Sequence, residues 1–502
     1  MDSAEFVPGH VWNEHIAPHR TPIPRVPVGG INHLSSECLM RVFHFAAAAG
    51  FEDHLRRDSR DRIRNAHHPI PVVLSHVCPV WHALSISSAS LWTNVIIDDH
   101  HTLYIESKTD GHHLFPIVDL FISLLQPQPL NVAILLSGTS KQSSTISRLQ
   151  ANTLGVILSQ NSERLKSLTM RGMSWDLQYA VMEKLAGVPM PLLQAFTCDH
   201  GSRRNATPLV YYLPDGRDGQ FLPLLTSSDH LLSLCPLLQD VCLASTPVVW
   251  NQFHASNLTT LVLAFLPDVF NVHDYRPSYQ AIHTVLRASH RTLGSLTLVG
   301  ILTSQQPISE AEYRLSNPFP MFKLEDLHIG YEDPAEVQHL LIGIAFPALK
   351  RLDLISLDSE TGGQESGSSI VMMFSALIKA LPLKQLISLK LHNVLLPACI
   401  TEFPSVREGG KIDDGYVDKL DLVDQYEVNL LSKGDEGYDD NGAGSDETES
   451  YDLFFDVAVS YGVHFDVSTC VELTLQFFEG LENLRLLDVS EPDSVTLDFL
   501  HR

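Results

Sequence analysis

Read as apolar and polar positions, the chain beyond residue 130 repeats one short figure: apolar, two variable residues, apolar, one variable residue, apolar. It occurs as "LKSLTM" from Leu165, "LQAFTC" from Leu193, "LQDVCL" from Leu238, "LTTLVL" from Leu258 and "LGSLTL" from Leu293. It continues as "LEDLHI" from Leu324, "LKRLDL" from Leu349, "LISLKL" from Leu386 and "LRLLDV" from Leu484. A strand turns alternate side chains to opposite faces, so the second and third apolar positions enter a core while the residue between them faces out. In "LKRLDL" this buries Leu352 and Leu354 and exposes Asp353. Apolar helical runs closed by a breaker precede several of the figures, as in "LLSLCP", "LLIGIAFP" and "MMFSALIKALP". The predicted unit is therefore helix, short turn, strand.

Neighbouring figures start 20 to 45 residues apart until the last, which follows a gap of 98. Several of these spacings lie near the ~20–29 residues of leucine-rich repeats. Stacking such units places helices on one side of a parallel sheet. The expectation is an α/β chain whose larger part, 130–405 and 457–502, is an irregular leucine-rich-repeat solenoid. Inside the long gap, residues 407–456 carry 16 acidic and four basic residues, a net of −12, among Gly and Ser. So polar a segment cannot repay its ordering entropy and reads as a disordered insertion. Its "DDNGAGSDETE" does not fit the register of a calcium loop.

The N-terminal part follows another rhythm. Residues 1–30 hold Pro8, Pro18, Pro22, Pro24 and Pro27 and read as a flexible leader. In "INHLSSECLMRVFHFAAAAG", Leu39, Val42, Phe43 and Ala46 recur at helical spacing; Ser35 or Ser36 caps the start and Gly50 ends about three turns. A charged stretch over 51–71 reads as a solvated loop or short exposed helix. In "LSHVCPVWHALSISSASLWTNVII" the helical spacing returns, with Leu74, Val77, Cys78, Trp81 and Leu84 on one face. Pro79 inside that run kinks the helix or confines it to its first turn. Ser87 or Ser88 then caps a short third helix bearing Leu91 and Trp92.

Composition narrows the function classes. A net charge of −25 opposes nucleic-acid phosphates and anionic lipid, which leaves proteins as the favoured partners. The seven cysteines contain no C-x-x-C and are scattered among apolar neighbours, as in a reducing compartment. No signal peptide and no run of 18 apolar residues is present, so the expected setting is intracellular, cytoplasmic or nuclear.

The chemistry-bearing residues form no motif. The 25 histidines include the adjacent pairs His67-His68, His100-His101 and His112-His113, whose side chains diverge on regular backbone, and no H-E-x-x-H accompanies them. "LSGTSKQSS" over 136–144 lacks the spacing of a phosphate-binding loop, and neither G-x-S-x-G nor G-x-G-x-x-G occurs. No catalytic residue, metal or cofactor is expected.

Residues 31–97 resemble an F-box, in the divergent F-box-like form common in basidiomycete fungal proteins. The family opens Leu-Pro-x-Glu-(Leu/Ile)-Leu and closes on an apolar pair ending in Phe; Leu34, Glu37, Leu39, Val42 and Phe43 stand at those positions. Its second half, Leu-x-x-Val-Cys-x-x-Trp followed by a small-residue turn and Leu-Trp, is matched by Leu74, Val77, Cys78, Trp81, Leu91 and Trp92. Ser35 replaces the family's proline, Pro79 replaces a usual basic residue, and 44–71 is longer than a compact F-box carries.

The resemblance implies a small helical bundle that docks on the Skp adaptor of a cullin–RING ubiquitin ligase through Leu34, Leu39, Val42, Phe43, Trp81 and Trp92. It implies a bundle core of Glu37, Leu74, Val77, Cys78 and Leu91, and a C-terminal array that captures a protein substrate. The array's outward strand positions, Glu325, Asp326, His328, Lys350, Arg351, Asp353, Lys390 and Asp488, are then candidate substrate contacts. Two alternatives stay open: a repeat scaffold with a degenerate F-box, and an enzyme whose site no motif reveals.

Overall fold

The computed structural model describes residues 34–57, 68–98, 115–125, 127–136, 147–199, 234–248, 250, 253, 256–265, 276–301, 319–341, 343–357, 367–397 and 467–490. The leader, the acidic insertion and the histidines at 67, 100, 101, 112 and 113 lie outside them.

All nine figures are strands of one parallel sheet: β3 (Leu165–Arg171), β4 (Ala195–Asp199), β5 (Asp240–Ala244), β6 (Thr260–Ala264), β7 (Ser295–Val299), β9 (Asp326–Tyr331), β11 (Arg351–Ser356), β12 (Ser388–His392) and β13 (Leu486–Ser490). Two more precede them, β1 (Asn94–Asp98) and β2 (Leu130–Leu135), giving eleven strands in chain order. A two-stranded side sheet pairs β8 (Phe319–Pro320) with β10 (Ile344–Ala345). The array therefore begins at 94, inside the segment that resembles an F-box, and the helices before it cap the sheet rather than forming a detached unit.

The figure itself explains the stacking. Strands pair in matching register, so Leu327, Leu352, Leu389 and Leu487 form one row and Ile329, Leu354, Leu391 and Val489 the next. From β3 to β12 these rows are buried, while the residue between them is half-exposed. In β13 Leu487 is 43% exposed, because no further strand follows among the described residues. The first variable position holds neighbouring coils together: the carbonyls of Gln194, Gln239, Thr259, Gly294, Glu325, Lys350 and Ile387 each accept two backbone N–H groups from the next coil. The position just after the strand turns the chain away with a positive φ at Gly172, Ser245, Gly300 and Asn393. At Gly172 a Cβ would sit 1.7 Å from the Leu136 carbonyl oxygen, so only glycine fits there.

Helices cover one face: α4 (Pro116–Leu125), α5 (Arg148–Gln160), α6 (Trp175–Leu185), α7 (Tyr279–Ser289), α8 (Pro334–Leu341), α9 (Gly367–Ala380) and α10 (Val467–Glu479). At the N-terminal end, α1 (Ser36–Arg56) runs 21 residues, past the stop expected at Gly50. Gly50 serves instead as a contact point, since a Cβ there would meet Ile70 Cγ1 at 2.6 Å. Ser35 caps α1 by accepting from the Cys38 N–H. Beyond α1 come α2 (Ile70–Ser75) and α3 (Pro79–Ser87), then a 3-10 turn over Ala89–Trp92 that has no side-chain cap.

The run from Leu74 to Leu84 is thus two helices, not one. Proline cannot donate within a helix but suits its first position, and here it starts α3 behind an extended Cys78 (φ −161°).

Candidate functional site

Two surfaces bear on function. The first is α1 with the α2–α3 corner. The buried face of α1 is Leu39, Phe43, Ala47 and His54. Beside it Cys38, Val42 and Phe45, three to four residues apart, form an exposed stripe; Val42 is 44% and Phe45 78% exposed. Leu34 just before the helix, and Val73, Val77 and Val80 around the corner, are exposed as well. A bundle that leaves this much apolar surface uncovered is built like one side of an interface.

The residues that the resemblance assigns to docking divide here. Leu34 and Val42 lie on the surface, whereas Leu39, Phe43 and Trp92 are buried and cannot touch a partner directly. Phe43 packs its ring 4.8 Å from that of Trp81, which is half-buried. Trp92 donates from Nε1 to the Ser85 carbonyl (2.9 Å) and sets its ring edge-on to Phe121 of α4 at 5.0 Å. The expected bundle core also changes. Leu91 is buried and Leu74 packs against the core, but Val77 is 54% exposed and Cys78 half-exposed, because the break at Pro79 separates them from the face that Leu74 starts. Glu37 stands on the surface, bonded to Arg41 at 2.7 Å. Phe45, the aromatic of the stripe, lies two residues beyond Phe43, where the opening half of the family pattern ends; its spacing of three from Val42 is the signal that marks it.

The end of α1 folds over the first strands. His54 Nε2 stands 3.5 Å from the buried carboxylate of Asp98, and Arg171 donates to the Leu55 carbonyl at 3.0 Å. A cleft of about 500 Å³ lies between α1, α2 and β1, lined by Phe51, His54, Ile70 and Ile96. Arg57 and His68, at the two ends of the stretch outside the described residues, border it, so it defines no closed site.

The second surface is the sheet face opposite the helices. Its middle register row is small and neutral over β3–β7, with Thr169, Thr197, Cys242, Val262 and Thr297, and becomes His328, Asp353, Lys390 and Asp488 over β9–β13. All eight candidate substrate contacts gather at this end. Most of them are engaged with one another: Lys350 bonds Glu325 at 2.7 Å, Arg351 grips Asp326 with Nε and Nη2, and Asp353 accepts from His328 at 2.8 Å with His392 at 3.6 Å. The hydrogen bonds to Asp326 raise the Arg351 pKa further. Such exposed pairs add little stability, about 0–1 kcal/mol each. They leave a fixed pattern of charge around a hollow of about 200 Å³.

Among the described residues no group of three or more His, Cys, Asp or Glu is placed to hold a metal ion. Burial pushes the Cys198 and Cys235 thiols up to about 12, which leaves them unreactive as nucleophiles. No helix among the described residues is long and apolar enough to cross a membrane.

No family model matches the chain, and no curated protein matches it. Among solved structures it is similar to a chain of the complex of Rad7 and Elc1 in yeast, at 15% identity and a TM-score of 0.25, over 72% of this chain and 83% of that one. So low a score carries no argument. The fold rests on the geometry above: a mixed α/β chain whose long parallel sheet is covered by helices on one face, an architecture compatible with a leucine-rich-repeat solenoid.

Proposed function

We propose that this protein is a non-catalytic substrate receptor of a cullin–RING ubiquitin ligase, working in the cytoplasm or nucleus. Its N-terminal helices dock on the Skp adaptor, and the charged end of the open sheet face takes a protein substrate. The observation that carries this reading is the exposed apolar stripe of Val42 and Phe45 on α1, with Val77 and Val80 also exposed at the α2–α3 corner, on helices whose sequence resembles an F-box. Leu39, Phe43 and Trp92 act from beneath by holding that surface in shape.

The test is calorimetric titration of the purified Skp adaptor into the full chain. The full chain is needed because the first strand of the array belongs to the F-box-like segment. Binding at micromolar affinity or tighter, lost in a Val42→Asp/Phe45→Asp variant with unchanged circular dichroism, supports the receptor. Absence of binding by the folded chain refutes it. That outcome would favour the second reading, a repeat scaffold with a degenerate docking domain, for which the early helix break at Pro79 speaks.

A further inference from the structure

The seam between α7 and α8, on the covered side of the sheet, holds titratable groups that no docking function uses. Glu336 of α8 is 1% exposed, and its carboxylate accepts one backbone bond, from the Glu332 N–H at 3.2 Å. Tyr279 of α7 lies within electrostatic reach of it; His283 stands one turn along α7 against the Leu340 backbone, and His339 one turn beyond Glu336 on α8. The rings of Tyr279 and His339 meet edge-on at 5.3 Å. Tyr279 Oη, His283 Nε2 and His339 Nδ1 are all buried without a hydrogen-bond partner.

Two cations flank the seam: Arg276, which bonds Glu332 at 2.9 and 3.4 Å and pulls the Glu336 carboxyl down against its burial, and Arg287 of α7, which acts with burial to lower His283. Asp333 adds a second negative neighbour, and Tyr331 of β9 is buried nearby in sequence. The buried residues that α9 contributes, including Val371, Met373 and Phe374, are apolar.

Polar groups buried this way are stable only while uncharged. Burial holds Glu336 up to about 8, aided by Glu332 and Asp333, and the same burial lowers both histidines and raises Tyr279.

We infer that the α7–α8 seam is a pH-responsive latch, closed near neutrality and released as the medium turns alkaline. The sign follows from proton counting. Between the ordinary Glu value of 4.5 and about 8, the closed seam keeps a proton that the opened one has lost, so opening becomes easier as pH rises. The histidines pull the other way below their ordinary 6.5, where the opened seam gains protons that the closed one refuses. The latch is therefore tightest close to pH 6.5. Strands β7 and β9 adjoin these helices in the chain, so its release reaches the strands that carry Thr297, Asp326 and His328.

Hydrogen exchange of the full chain at pH 6.5 and pH 8, corrected for intrinsic rates, tests this. In the wild type the opening constant of α7 and α8 amides should rise on the order of tenfold, while α5 and α6 serve as the internal control. Glu336→Gln keeps the acceptor but cannot ionise, and should abolish the rise. A wild-type seam indifferent to pH, or a Gln variant that responds as the wild type does, overturns the latch. If Glu336→Gln does not fold, infrared difference spectroscopy of the wild type decides: a protonated-carboxyl band present at pH 6.5 and lost by pH 9 supports it, and no such band overturns it.

Discussion

Trp92 offers the sharpest test of how the bundle is built. Its side chain is 1% exposed, its Nε1 donates to the Ser85 carbonyl, and its ring contacts Phe121. Trp92→Ala empties a buried aromatic site, for which ~3–5 kcal/mol is the usual loss. Trp92→Phe keeps an aromatic edge toward Phe121 but leaves the Ser85 carbonyl without its donor, a loss of roughly 1–3 kcal/mol. Phe45→Ala, at an exposed position, should change stability by less than about 0.5 kcal/mol and yet weaken adaptor binding. Urea unfolding followed by circular dichroism ranks the three, and calorimetry with the Skp adaptor gives the binding. If Trp92→Ala unfolds at the same urea concentration as Phe45→Ala, Trp92 is not a packing residue and the division between support and surface fails.

Other expectations follow from single positions. Leu354→Ala, between Ile329 and Leu391 in a buried row, should cost about 3–5 kcal/mol, read as a lower urea midpoint. Gly172→Ala places a methyl against the Leu136 carbonyl at a positive φ and should destabilise by more than about 2 kcal/mol; the equivalent change at exposed Gly187, where nothing lies within 4 Å, should cost less, as compared by thermal melting. Asp353→Asn removes the charge that His328 and His392 share on the open face, and should leave the fold intact by circular dichroism while lowering capture of any substrate identified for the array.

The strands were legible because their information is local. A period of two in nearby residues fixes which side chains face inward, and Leu352 and Leu354 are buried as that period requires. The Ser35 cap was legible for the same reason, being a bond across three residues. Positions decided by distant partners were not. Gly50 looks like a helix end until Ile70 is seen packed against it, and Trp92 looks like a docking residue until Phe121 covers it. The open face was half legible. Its residues could be named from the strand period, but the pairing of Asp326 with Arg351 and of His328 with Asp353 depends on which strands lie side by side.

By itself, then, the sequence determined the repeating unit, its inward and outward faces and the charge of the chain, since these follow from spacing and composition. Tertiary structure alone decided that the array starts at β1, that α1 continues over the strand ends to Asp98 and Arg171, and that Glu336 and Tyr279 are buried at the α7–α8 seam with His283 and His339 half-buried beside them. Burial and electrostatic environment belong to neighbours brought from elsewhere in the chain, and no short window of residues contains them.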